Sequence, residues 1–138
     1  MKKTELEVRL GNDYAELPRM IDSVEEFLQS HDAPTAVAYK AHLALEEMCT
    51  NIIKYGYDDK NAHEILIHLC QEPNRLTIRL EDDGHEFNPL ASAEPDLDKP
   101  LAERPIGGLG IHLVKKSMSA LDYRRENGRN ILEMRLDY

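Results

Sequence analysis

A chain of 138 residues, 41% hydrophobic and 31% charged, has the length and composition of one soluble domain with a real core. A formal net charge of −9 repels phosphate backbones, which argues against direct nucleic-acid binding. No apolar run reaches the ~20 residues that cross a bilayer, and Met1-Lys2-Lys3-Thr4-Glu5 lacks the apolar core of a secretory signal, so a cytoplasmic protein with no membrane partner is expected.

Leu6 to Leu10 alternate apolar and charged residues, the period of a half-buried strand. Gly11-Asn12-Asp13 breaks it. Asn12 or Asp13 can cap a helix running to about Gln29, with Leu17, Met20, Ile21, Val24, Phe27 and Leu28 at helical spacing. Pro18 is tolerated there because it sits in the first turns. His31-Asp32-Ala33-Pro34 is a turn. A second helix spans about Thr35 to Lys54, with Ala41, Leu45, Met48, Cys49, Ile52 and Ile53 as its apolar stripe and Gly56 as its stop. The runs Glu64 to Cys70 and Arg75 to Leu80 flank Gln71-Glu72-Pro73-Asn74 and form an antiparallel hairpin.

Residues 84–106 carry Pro89, Pro95, Pro100 and Pro105 and no apolar period, the mark of a functional lid. Gly108 to about Ala120 is a third helix. Leu121 to Glu126 and Asn130 to Leu136 close the chain as a hairpin around Asn127-Gly128. Cys49 and Cys70 sit at apolar positions and are expected to be buried thiols. The order strand, two helices, two strands, lid, helix, two strands predicts an α+β fold. It is a two-layer sandwich over residues 1–138, a single domain whose mostly antiparallel sheet is covered on one face by three helices.

Three short segments carry chemistry. Glu47 and Asn51 are four apart on the second helix and project from one side, at the border of its apolar stripe. A carboxamide oxygen is a hard ligand suited to Mg²⁺, and a carboxylate beside it can take a hydroxyl proton. Taken alone, the pair also suits a solvated face, and Glu46 points to solvent. Asp82-Asp83-Gly84 ends the third strand. A carboxylate there can accept the exocyclic amine of adenine, and Gly84 removes bulk where the base would lie.

The third segment is Gly107-Gly108-Leu109-Gly110, just ahead of the last helix. Backbone amides at a helix start bind phosphate without lysine, and Arg104 lies close enough in sequence to reach a terminal phosphate if the lid closes. No P-loop pattern is present, nor a Rossmann glycine pattern after the first strand. His31, His42, His63 and His68 have no metal-ligand spacing and read as surface or strand residues. His85 and His112 fall inside the segments above.

In this order and at these separations, Glu47 to Asn51 with the Tyr55-Gly56-Tyr57 exit, Asp82/Gly84/Phe87/Pro89, and Gly108-Leu109-Gly110-Ile111 resemble three boxes of one superfamily. They are the N, G1 and G2 boxes of the Bergerat-fold (GHKL) ATPases, which include gyrase and the sensor histidine kinases. Within it the chain is most similar to the small anti-sigma-factor serine/threonine kinases. The resemblance implies Glu47 as general base and Asn51 as the Mg²⁺ ligand. It implies Asp82 on the adenine amine, Gly84 beneath the ring, Gly108 and Gly110 around the ATP phosphates, and residues 90–106 as the ATP lid. It further implies a STAS-type anti-anti-sigma substrate, a sigma-factor partner and a homodimer. The chain departs from the family pattern at Tyr55, where a histidine is common, and at Asn130, where many relatives carry threonine. The other expectation in view is a module that binds ATP and sequesters a sigma factor or another regulator without phosphoryl transfer.

Overall fold

The first strand, β1 (Thr4–Gly11), is followed by a 3₁₀ turn at Tyr14–Glu16 and then by α1 (Leu17–Ser30). In this computed structural model, which describes residues 3–91 and 108–138, the predicted cap at Asp13 serves the 3₁₀ turn: its Oδ1 accepts the N–H of Ala15 at 3.0 Å. The α-helix itself waits for Pro18, whose missing N–H costs nothing in a first turn. Asn12 is used differently. Its N–H donates to the carbonyl of His63 and its Oδ1 accepts the His63 N–H, both at 3.0 Å, which pins the end of β1 to the start of the next strand.

The second helix, α2, runs Thr35–Tyr55, and β2 (Glu64–Glu72) and β3 (Arg75–Asp82) form the predicted hairpin. The last helix, α3 (Gly108–Ser117), is shorter than its sequence suggests. The N–H of Ser119 donates to Arg135 O at 2.8 Å, and Ala120 already pairs with Arg135, so the sheet claims the residues that would extend the helix. β4 (Ala120–Glu126) and β5 (Arg129–Asp137) close the fold through Asn127 and Gly128, both at positive φ, 50° and 74°. That geometry suits the right-handed twist of the strands it joins.

All described strand pairs are antiparallel and the sheet order is β1-β2-β3-β5-β4. Residues of alternate parity face the helices. One cross-strand row on that face reads Val8, Ile67, Leu80, Leu132, Tyr123. Met20, Val24 and Leu28 from α1 and Leu45, Met48 and Cys49 from α2 pack on it with at most 2% exposure. Each such large apolar side chain contributes roughly 1.5–3 kcal/mol on burial. The next row toward the α2 exit keeps the inward parity but turns polar: Asp82, Asn130, Arg125. The functional site begins at that change. The opposite face of the sheet is charged, with Glu7, His68, Arg79, Glu133 and Asp122 in one row.

Candidate functional site

The helical period of α2 buries Met48 and leaves Glu47 half-buried beside it, while Glu46 is exposed and meets His42 Nε2 at 3.3 Å. Asn51, one turn beyond Glu47, is 8% exposed. Its Nδ2 donates to the Glu47 carbonyl at 2.8 Å. The acceptor there is a backbone oxygen, so the amide orientation is fixed, and Oδ1 receives no donor among the described residues.

Strand alternation turns Asp82 inward, where it is 4% exposed. Burial pushes its pKa above the usual carboxylate range, against the N–H groups of Asn130 and Gly84, which favour the charge. Both of those donors go to Oδ1, from Gly84 N at 2.9 Å and Asn130 Nδ2 at 3.0 Å. Oδ2 is the oxygen that receives no donor among the described residues.

Asn130 is the hub of this corner. Its Nδ2 also donates to His85 O at 2.8 Å. Its Oδ1 accepts from Tyr123 OH at 2.5 Å, Arg125 Nη1 at 3.0 Å and Phe87 N at 3.3 Å. Arg125 Nη1 donates as well to Gly84 O at 2.8 Å. Residues 84–87 are thus fastened to β4 and β5 by side chains. The sequence reading singled out Asn130 but missed Tyr123 and Arg125. Their i, i+2 spacing opposite Asn130 across a two-residue turn is the signal that could have found them.

A pocket of about 30 Å³ lies between α2 and the sheet. Met48, Asn51 and Ile52 wall it on the helix side, Leu80, Asp82 and Leu132 on the sheet side, and Phe87 and Pro89 also line it. That volume suits a water or two.

Gly84 is crowded by protein: a Cβ there would collide with Gly56 O and stand 2.9 Å from Asp82 Oδ1. Glu47 and Gly110 meet beside the pocket, where a Cβ on Gly110 would collide with Glu47 Oε2. The carboxylate therefore lies against the first turn of α3, whose unsatisfied N–H groups carry positive potential. Arg104, Gly107 and the part of the expected lid from residue 92 onward lie outside the described residues, as do the side-chain surroundings of Leu109. His85 Nδ1 lies 3.1 Å from Asp58 Oδ1 and His112 is partly buried on α3. Among the described residues no group of three or more His, Cys, Asp or Glu could hold a metal ion.

The family profile described as histidine kinase-like ATPase domain matches residues 10–136. A protein named serine-protein kinase RsbW from Bacillus cereus (strain AH820) is 33% identical over 94 residues, 65% of this chain and 58% of that protein. One of the same name from Bacillus thuringiensis (strain Al Hakam) is 32% identical over the same length and shares. The chain thus spans 58% of the length of these relatives.

Proposed function

Because the chain belongs to the histidine kinase-like ATPase domain family, we propose that it binds ATP with Mg²⁺ and passes the γ-phosphoryl group to a serine or threonine of a STAS-type anti-anti-sigma protein, and so regulates a sigma factor. The observation that carries the reading is a convergence. A buried carboxylate (Asp82) and a buried carboxamide (Asn51), each with one oxygen that receives no donor among the described residues, line one pocket. A half-buried carboxylate, Glu47, stands beside it at a helix N-terminus.

Asp82 Oδ2 accepts the adenine amine, which selects adenine over guanine because guanine presents an oxygen there. Asn51 Oδ1 suits Mg²⁺, an ion that takes few protein ligands and completes its shell with phosphate and water. A single carboxamide, with no metal-holding group of three or more His, Cys, Asp or Glu among the described residues, fits that habit. When bound, the ion neutralises phosphate charge. The N–H groups at the start of α3 receive phosphate oxygens, and Arg104 is the residue expected to reach the terminal phosphate if the lid closes. Glu47 accepts the proton of the attacking hydroxyl. Such transfer relies on positioning and charge neutralisation, so few reactive side chains are needed.

The proposed setting is a cytoplasmic homodimer. Among the described residues no helix is long and apolar enough to cross a membrane. Incubation with γ-labelled ATP, Mg²⁺ and a candidate STAS protein tests the reading. Transfer that disappears in Glu47→Ala is expected. Tight ATP binding without transfer to any partner would overturn the kinase and leave a nucleotide-dependent binding module.

A further inference from the structure

The loop from α2 to β2, residues 56–63, is tied to the turn that carries Asp82. Gly56 O accepts the His85 N–H at 2.8 Å and lies against Gly84. Asp58 Oδ1 meets His85 Nδ1 at 3.1 Å. His63 supplies the remaining tie. Its Nδ1 faces Asp83 Oδ1 at 3.1 Å and its Nε2 faces Asp59 Oδ1 at 2.7 Å. The sequence placed His63 on the surface. In the structure its side chain is only 15% exposed and its ring stacks on Tyr57, centroids 4.3 Å apart and planes 12° from parallel. The Tyr57 hydroxyl is buried and has no hydrogen-bond partner among the described residues.

A neutral imidazole has one N–H, and its other nitrogen offers a lone pair. Carboxylates at both nitrogens are served only by the imidazolium. The charged groups facing the ring are Asp59 from its own loop and Asp83 from the segment after β3. β1 contributes the neutral Asn12, and Tyr57 stays protonated because burial, then the charge of Asp82, push its pKa up. The hydrogen bond to Asp59 leads the effects that raise the His63 pKa, with burial opposing.

We propose that His63 is a positioning residue for nucleotide recognition: as an imidazolium bridging Asp59 and Asp83, it holds the Asp82–Gly84 turn in its receptive form. Adenine nucleotide affinity then falls as the ring loses its proton. This rests on the nucleotide reading above. By linkage, bound nucleotide must in turn hold the proton on His63 more tightly. The bridged carboxylates are partly exposed, so the expected loss is about two- to fivefold in affinity.

The test measures Mg·ADP affinity by calorimetry between about pH 6 and pH 9, the range in which histidine discharges, in the wild type, His63→Gln and Asp83→Asn. The titration of the His63 ring is followed by NMR with and without Mg·ADP. Titration of the ligand itself affects all three proteins alike. The wild type should lose two- to fivefold more affinity than either variant as pH rises, and its His63 should discharge at higher pH when nucleotide is bound. Asp83 is exposed, so its variant carries the comparison if His63→Gln does not fold. Binding with parallel pH profiles in all proteins, or a His63 titration indifferent to nucleotide, overturns the inference and leaves the nucleotide reading standing. Well-folded wild type that binds no Mg·ADP at any pH overturns both.

Discussion

Gly110 lies against the carboxylate of Glu47, so that a methyl group at position 110 would collide with Oε2 and stand 3.2 Å from Oε1. The contact joins the middle of α2 to the first turn of α3, and it places a proposed base beside a proposed phosphate cradle. Only a residue without a side chain allows it.

Gly110→Ala separates the stability of this contact from its chemistry. The colliding atoms are the far end of a flexible side chain, so the carboxylate swings aside and the backbone stays. Alanine inside a helix is favoured over glycine by roughly 0.5–1 kcal/mol. The melting temperature should therefore hold or rise. Phosphoryl transfer should fall by at least about tenfold, since a base displaced by an ångström loses its geometry. Melting curves and label transfer on the same preparation check this, and an unchanged rate would show that Gly110 does not set the position of the base.

Asp82→Asn should stabilise the protein while removing adenine recognition. Burial raises the pKa of Asp82 above its unfolded value, so its ionisation costs stability at every pH above that raised pKa. The amide keeps an oxygen for Gly84 N and Asn130 Nδ2 and removes the charge. A gain of about 1 kcal/mol near neutral pH is expected. The gain should shrink as pH falls through the raised pKa toward the unfolded value, because Asp82 is then uncharged in both states, as asparagine is. The amide nitrogen would face the adenine amine donor to donor, weakening ATP binding by about 100-fold. Urea titrations at several pH values and calorimetry with Mg·ATP measure both effects. A less stable variant, or one with undiminished affinity, contradicts the assignment.

Glu47, Asn51 and Asp82 were legible in the sequence, and the reasons differ. Glu47 and Asn51 share a helix, so a spacing of four fixes their common side without knowledge of the fold. Asp82 ends a strand whose inward residues alternate, Leu76, Ile78, Leu80, so its inward direction follows from period two. The pairing of β3 with β5 is not local, and nothing in the sequence puts Asn130 opposite Asp82. Arg125 and Tyr123 face Asn130 across the local hairpin turn, but without the Asp82 partner on β3 they passed as ordinary strand residues. The same limit hid the His63 bridge, whose partner Asp83 comes from the far end of a hairpin. Helix ends moved by a few residues where the sheet or a 3₁₀ turn claimed the backbone, as at Ser119 and Asp13.

Cys49 offers a probe of how tightly α2 is held to the sheet. It is fully buried, and burial, reinforced by the charge of Asp82, pushes its thiol pKa to about 12. Its thiolate is then scarce at pH 8 on both counts, access and ionisation. Mass spectrometry after iodoacetamide treatment should find Cys49 unmodified in the native protein and fully modified in urea. Rapid native labelling would mean that α2 opens away from the sheet.

Asn130→Ala should be the costliest single change at the site. It withdraws one of the two donors from Asp82 Oδ1 and the acceptor of Tyr123 OH, Arg125 Nη1 and Phe87 N. Asp82 is left more poorly solvated in a buried position, and each group stranded without a partner carries a desolvation penalty of about 1–3 kcal/mol unless water reaches it. Arg125 keeps Gly84 O, so residue 84 stays fastened while Phe87 is released. A net loss of about 2–3 kcal/mol follows, smaller than the sum because water can enter the space left by the carboxamide. Nucleotide affinity should fall with it, since the oxygen that reads adenine loses its alignment. Asn130→Thr keeps a hydroxyl that can donate to Asp82, so it should recover part of the affinity and less of the stability. Urea titrations and calorimetry on the pair measure this, and equal stability in wild type and Asn130→Ala would mean that the hub merely occupies its place.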